Sequence, residues 1–280
     1  MASTIRTNDG RQYEKPGYMR NTGAFIAGTN AAGLVALSQM PFLNYGLNKI
    51  RKLNLDVDTV EISKGLDKAL EVSKMKDAGV KIIEPKFRVK PLSKNKLLDK
   101  MIELFQPVIG ASRGRNAVFF MNGSNQIMLN KNKIGTAGFH EIGHAINRNS
   151  SKFWKTVQNI RFPGMALASV ILLTALLKRK KADGEEPKGF FDKSTTFVKE
   201  NAGKLSMLVS LPVFAEELKA SLRGNKLAKQ VLSPELYKKV VKTNKWSTMV
   251  YLSGVLAAGL TGYLASKTRD AVAHPKEIKA

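Results

Sequence analysis

From Ser247 to Ser266 the chain runs for about 20 residues without a charge, bracketed by Lys245 and Trp246 on one side and by Lys267 and Arg269 on the other. Coiled into a helix at ~1.5 Å per residue, a stretch of that length matches the ~30 Å hydrocarbon core of a bilayer. Gly254, Gly259 and Gly262 along it suit close packing against another helix. Three further uncharged runs precede it: Gly23 to Leu43, Phe162 to Leu177, and the shorter Leu205 to Ala215, interrupted by Pro212. Hydrophobic residues make up 43% of the 280 positions, an ordinary globular share, so it is their bunching that points to a membrane. The run at 23–43 carries Asn30, Ser38, Gln39 and three glycines, and is expected to span or to lie as an amphipathic helix on the surface.

The remaining chain divides by pattern. Residues 1–20 are polar and basic and read as a mobile tail. Val60, Ile62, Leu66, Leu70 and Val72 recur at helical spacing, and Ala78-Gly79 then breaks the pattern before the strand-like Val80 to Ile83. Extended chain is expected between Pro85 and Pro91, and an amphipathic helix over Leu97 to Phe105. Ala117 to Met121 and Gln126 to Leu129, separated by Asn122-Gly123-Ser124-Asn125, predict a hairpin. The boundaries are a basic tail at 1–20, a membrane or amphipathic helix at 21–46, a core at 47–160, an apolar membrane-dipping hairpin at 161–215, a helix with a basic segment at 216–245, a transmembrane helix at 246–267, and a tail at 268–280.

The sequence contains no cysteine, so disulfides and thiolate metal sites are excluded and any metal must be held by His, Asp or Glu. Two of its three histidines stand in Phe139-His140-Glu141-Ile142-Gly143-His144. Phe139, Ile142 and Ile146 form an apolar stripe on a helix ending near Asn147, and the i, i+4 spacing places both imidazoles on an adjoining face, where they can grip one zinc ion. Glu141 lies beside that pair as the general base that takes a proton from water, the arrangement for hydrolysing a peptide bond without a covalent intermediate. Gly143 and Ala145 are expected to leave space around the site. Gln126, Ile127, Met128 and Leu129, just before the helix, are the expected edge strand for pairing with substrate backbone.

A catalytic zinc site usually takes three protein ligands, so one more is needed. His274 lies in the C-terminal tail, a poor place for rigid coordination, which leaves the neighbouring acids Glu216 and Glu217 at the start of a helical pattern. Here the chain resembles the membrane gluzincins, the group that includes HtpX-type heat-shock peptidases and CAAX prenyl proteases. The resemblance is carried by Arg115-Asn116-Ala117-Val118-Phe119 before the helix, by Gly138 to His144, by an intervening hydrophobic hairpin, and by Glu217-Leu218-Lys219-Ala220-Ser221, similar to the group's Glu-x-x-Ala-Asp segment. It implies Glu217 as the third ligand, a Zn2+ cofactor, protein or peptide substrates at or near a membrane, and a bacterial inner membrane with the active site facing the cytoplasm. Ser221 departs from the pattern, standing where many members carry an aspartate that supports the histidines. Arg223, just beyond, reads as a surface or lipid-headgroup contact rather than a stabiliser of the oxyanion.

The formal charge of +24 suits nucleic acid or an anionic membrane surface. No nucleic-acid module is present and aromatics are not interleaved with the basic residues, so no nucleic-acid partner is expected. Lys178 to Lys181, and Lys226, Lys229, Lys238, Lys239, Lys242 and Lys245, border the apolar runs and point to anionic lipid headgroups. The expected fold is α+β and mostly helical: a zincin-like catalytic core with a small β-hairpin or sheet, and two to four membrane-associated helices. The competing reading is a non-proteolytic basic membrane protein with a vestigial or structural zinc site. Structural sites favour four protein ligands, and two histidines with one acid favour an open, catalytic one.

Overall fold

The computed structural model describes residues 4–85, 89–90, 92–95, 99, 102 and 106–278. Most of the expected amphipathic helix at Leu97 to Phe105 and most of the expected extended segment from Pro85 to Pro91 lie outside the described residues. Among the described residues the chain is mostly helical with two small sheets, and it divides into two units.

The unit formed by Pro41–Ile160 and Pro212–Leu252 holds the main hydrophobic core. It takes in the C-terminal part of α1 (Tyr18–Leu53), all of α2 (Thr59–Val72), and β3 (Lys81–Ile83). Asp58 starts α2 by accepting from the backbone N–H groups of Val60 and Glu61 at 2.8 and 3.1 Å, satisfying donors the helix cannot reach itself. Then come α3 (Pro107–Ser112), β4 (Val118–Phe119), β5 (Gln126–Met128), α4 (Lys131–Ile134) and a single 3-10 turn, Gly135–Ala137. The expected hairpin is present: β4 and β5 are antiparallel with Phe119 opposite Ile127, and Gly123 in the loop has φ +90°, a conformation open to glycine. β3 pairs in parallel along the other side of β5, giving the order β3-β5-β4. Helix α5 (Gly138–Ser150) follows, three residues longer than expected, and Ser151 caps α6 (Lys152–Asn159). The apolar stripe works as read, for Phe139 and Ile142 are fully buried among Ile62, Leu66, Ile127 and Leu129. The unit is completed by the C-terminal part of α9 (Ala202–Val231), which contributes Leu227 and Ala228, and by the N-terminal part of α10 (Pro234–Val272), which contributes Leu236 and Val240.

The other unit comprises Met1–Met40, Arg161–Leu211 and Ser253–Ala280. It contains α7 (Arg161–Leu177), α8 (Gly189–Glu200) and the remaining parts of α1, α9 and α10. The described parts of the two segments read as tails, 4–20 and 268–278, carry regular structure. β1 (Thr4–Arg6) pairs with β2 (Gln12–Glu14), and β2 pairs with β6 (Lys276–Glu277), so the two ends of the chain form one three-stranded antiparallel sheet. Backbone pairing, with Ile5 and Tyr13 packed on Ala182, holds what composition alone describes as a loose basic end. Gly259 and Gly262 pack against the first turn of α9, an alanine-sized Cβ at Gly262 reaching 2.7 Å from the Ala202 carbonyl oxygen. Gly254 faces open space instead.

Among the described residues two helical stretches are long and apolar enough to cross a membrane: Lys152–Leu177, 26 residues with a turn at Ile160, and Pro234–Val272, 39 residues. The N-terminal run sits within the 36-residue α1, which does not meet the same measure.

Candidate metal centre

Helix α5 presents His140 and His144 one turn apart, and α9 crosses it closely enough to bring Glu217 onto the same point. Two glycines permit the crossing. A Cβ on Gly143 would stand 2.1 Å from the Ala220 carbonyl oxygen, and one on Gly224 would stand 2.5 Å from the Phe139 carbonyl oxygen. The room at Gly143 is therefore filled by the α9 backbone rather than left open around the site.

The two Nε2 atoms are 2.9 Å apart, and Glu217 Oε2 lies 3.0 Å from that of His140 and 3.3 Å from that of His144. All three side chains are buried, and their ligand atoms form a group able to hold a metal ion. The outer nitrogens explain why. His144 Nδ1 faces Glu216 Oε1 at 2.8 Å, and an ionised carboxylate only accepts, so a neutral His144 ring carries its proton on Nδ1 and its lone pair on Nε2. His140 Nδ1 faces Ser221 Oγ at 3.0 Å, a hydroxyl able to accept from it. With both rings neutral in this way, two lone pairs and a carboxylate oxygen converge, a set suited to a cation at its centre. Ligands ~2.0–2.1 Å from zinc in a tetrahedral array stand ~3.3–3.4 Å from one another, slightly wider than the spacings here. The residues fit the metal.

Supporting groups surround this triangle, and of these sequence reading passed over Asn147, Gln158 and Thr248. Glu216 is fully buried and stands outside the converging group: its Oε1 accepts from His144 Nδ1, from Asn147 Nδ2 at 2.8 Å and from Gln158 Nε2 at 2.7 Å. Gln158, on α6, also donates to the His144 carbonyl oxygen at 3.0 Å. Asn147 is three residues from His144 on one helix, so spacing alone could have flagged it, whereas nothing local marks Gln158. Ser221 Oγ pairs with His140 Nδ1 and accepts from Thr248 Oγ1 at 3.1 Å. Burial opposes a proton on His144, but the Glu216 and Glu217 carboxylates beside it outweigh burial and raise its proton affinity well above the ordinary imidazole range. A divalent cation would answer the same concentration of negative charge.

Glu141 is buried beside the pair and accepts from the Phe119 N–H of β4 at 2.7 Å through Oε2. The expected substrate strand requires correction. Gln126, Ile127 and Met128 belong to β5, whose two edges are taken by β3 and β4, and Leu129 donates its N–H to the Ile83 carbonyl, so this segment has no edge to offer. The outer edge of the β3-β5-β4 sheet on the Glu141 side is β4. Arg223 is half-buried and donates to Ser150 Oγ at 3.3 Å, outside the converging group. His274 stands between α10 and β6, where its carbonyl accepts from Arg20 at 2.7 Å, in the other unit from the metal centre. The Lys178 to Lys181 cluster is largely paired internally: Lys178 with Asp192, Arg179 with Glu185, and Lys181 with both acids.

Comparison with protein-family models, curated proteins and solved structures returns no match for this chain. The class of protein is therefore defined by the site: a mostly helical protein with a buried His-His-Glu group suited to a metal ion and two stretches apolar enough to cross a membrane.

Proposed function

We propose that the chain is a zinc metallopeptidase of the membrane gluzincin type, hydrolysing peptide bonds in membrane or membrane-proximal proteins. The observation that carries this reading is the convergence of both Nε2 lone pairs and Glu217 Oε2 within 3.3 Å of one another, with Glu141 next to them on the same helix. His140, His144 and Glu217 would hold the metal. When bound, zinc supplies a Lewis acid that polarises the scissile carbonyl and lowers the pKa of water toward ~7.

The protein's own groups do the rest. Glu141 takes one proton from the attacking water as its oxygen bonds to the carbonyl carbon, then gives that proton to the amine as the C–N bond breaks. The Phe119 N–H fixes one Glu141 oxygen and leaves the other for this transfer. Glu216 and Ser221 orient the two rings, and Gln158 and Asn147 hold Glu216 in place. Membrane residence and lipid-headgroup contact are supported by the two apolar stretches and the basic charge.

Metal analysis of detergent-purified full chain tests the reading. Wild type should carry about one zinc per chain, His144→Ala and Glu217→Ala should lose it, and Glu141→Gln should keep it while losing hydrolysis of an unfolded membrane-protein substrate. Hydrolysis that persists in Glu141→Gln would overturn the mechanism. A wild-type chain that takes up no zinc would favour the non-proteolytic alternative.

A further inference from the structure

Helix α8 is built inside out. Phe190 is 87% exposed, Phe191 80% and Phe197 58%, while the face turned inward carries Thr196 and Lys199 at 8% and 2%. At ~100° per residue the three phenylalanines fall within ~120° of the helix circumference, with Ser194 between them. Beneath the opposite face Lys199 Nζ meets Asp270 Oδ1 at 2.6 Å, and the Ser266 hydroxyl donates to the Lys199 carbonyl oxygen at 3.1 Å. A helix on a water-facing surface shows the reverse arrangement, with its apolar stripe toward the core. Aromatic rings outside and paired charges inside suit apolar surroundings, where an ionisable group is tolerated only with a partner in the protein interior.

We propose that α8 lies in the interfacial zone of a phospholipid bilayer, with Phe190, Phe191 and Phe197 entering the acyl chains. The proposal rests on reading Lys152–Leu177 as a span and extends it to a segment that is too polar to span. Features of this region commit the face to lipid rather than to a protein. α8 begins 12 residues after α7 ends, close to the end of that apolar stretch, where the headgroup region would lie. The acid of its first turn, Asp192, is paired with Lys178 and Lys181, so the exposed charges nearest the Phe190–Phe191 pair on this helix and at its start are Lys188 and Lys193, while Glu200 is exposed at its other end. Phenylalanines flanked by lysines on one helix match the chemistry of an anionic membrane surface.

The absence of cysteine makes a site-specific test direct. Phe191→Cys, Leu173→Cys on α7 and Glu186→Cys in the loop between the helices would each carry one nitroxide on an exposed position, in full chain reconstituted into phosphatidylcholine–phosphatidylglycerol vesicles. Collision with oxygen, which concentrates in lipid, and with a water-soluble nickel chelate then reports the surroundings. Labels at 173 and 191 should favour oxygen, and nickel accessibility at 191 should be severalfold below that at 186. Lipid contact at 173 with water contact at 191 would overturn the interfacial placement and leave the span standing. Water contact at both would overturn the span and the placement with it. Shielding of 191 from both reagents would mean that protein, such as a second copy of the chain, covers the face, and would also overturn the placement.

Discussion

Replacing Gly143 with alanine sets two effects of opposite sign against each other. In a helix interior alanine is favoured over glycine by ~1 kcal/mol, so propensity alone makes Gly143→Ala stabilising. Contact geometry says otherwise. The new Cβ would sit 2.1 Å from the Ala220 carbonyl oxygen and 2.7 and 2.8 Å from its carbonyl carbon and Cα, whereas real Cβ contacts essentially never fall below 3.0 Å. Because the obstacle is backbone, no side-chain rotation relieves it, and α9 must retreat by 3.0 − 2.1 = 0.9 Å at least. Glu217 lies three residues before Ala220 on that helix and moves with it. Metal–ligand distances tolerate only about ±0.2 Å, so the retreat withdraws the third ligand, and overpacking costs ~1–3 kcal/mol that offsets the propensity gain. Zinc affinity measured by chelator competition should fall at least ~10-fold, the lower end of what is lost when groups supporting a metal site are disturbed. Helical content by circular dichroism should persist. Gly254→Ala, a helical glycine with open space around it, is the control and should leave affinity unchanged. A Gly143→Ala chain that binds zinc as wild type does and melts higher would refute the close crossing as the device that delivers Glu217.

Two other perturbations separate roles within each unit. Glu216→Gln keeps an acceptor for His144 but removes a buried charge; zinc should remain near one per chain with affinity down ~10–100-fold, in contrast to the loss expected for Glu217→Ala, and equal losses in the two would make Glu216 a ligand. In the loop after α7, burial pushes the Glu185 carboxyl up, but the Arg179 guanidinium, the Ala182 N–H and Lys181 prevail and pull it down from 4.5 to about 2. A depressed acid contributes stability that is fully present above its unfolded value and lost as pH falls through the folded one, so a nitroxide at Glu186→Cys should gain mobility between pH of about 4.5 and about 2. Adding Glu185→Gln should make it mobile across the whole range; a label indifferent to both changes would remove the ion pairs as the loop's clamp.

His140, Glu141 and His144 were legible because their relation is local: i and i+4 share a helix face whatever surrounds it. Helix α2, the β4–β5 hairpin and the last uncharged run were legible on similar terms, from periodicity, turn residues and length. Glu217 was narrowed by residue type to a pair of acids and then singled out by resemblance to a motif. Its partner Glu216 was indistinguishable in sequence, since adjacent helical residues differ only in direction, by ~100°, and that direction has meaning only once α5 lies alongside. Tertiary structure turned one acid toward the Nε2 atoms and the other toward Nδ1. It also decided what pairs with what. β5 lost its expected part as substrate strand because β3, more than forty residues earlier, closes its second edge. Within 4–20 and 268–278, β2 pairs with β6 from the far end of the chain, so the described parts of the two expected tails are held together. The lysines and arginine at 178–181 are drawn largely to Asp192 and Glu185. Side-chain chemistry and short-range spacing are properties of the sequence by itself. The remaining edges, rotations and charges depend on groups brought together by packing, and their separation along the chain carries no trace of that nearness.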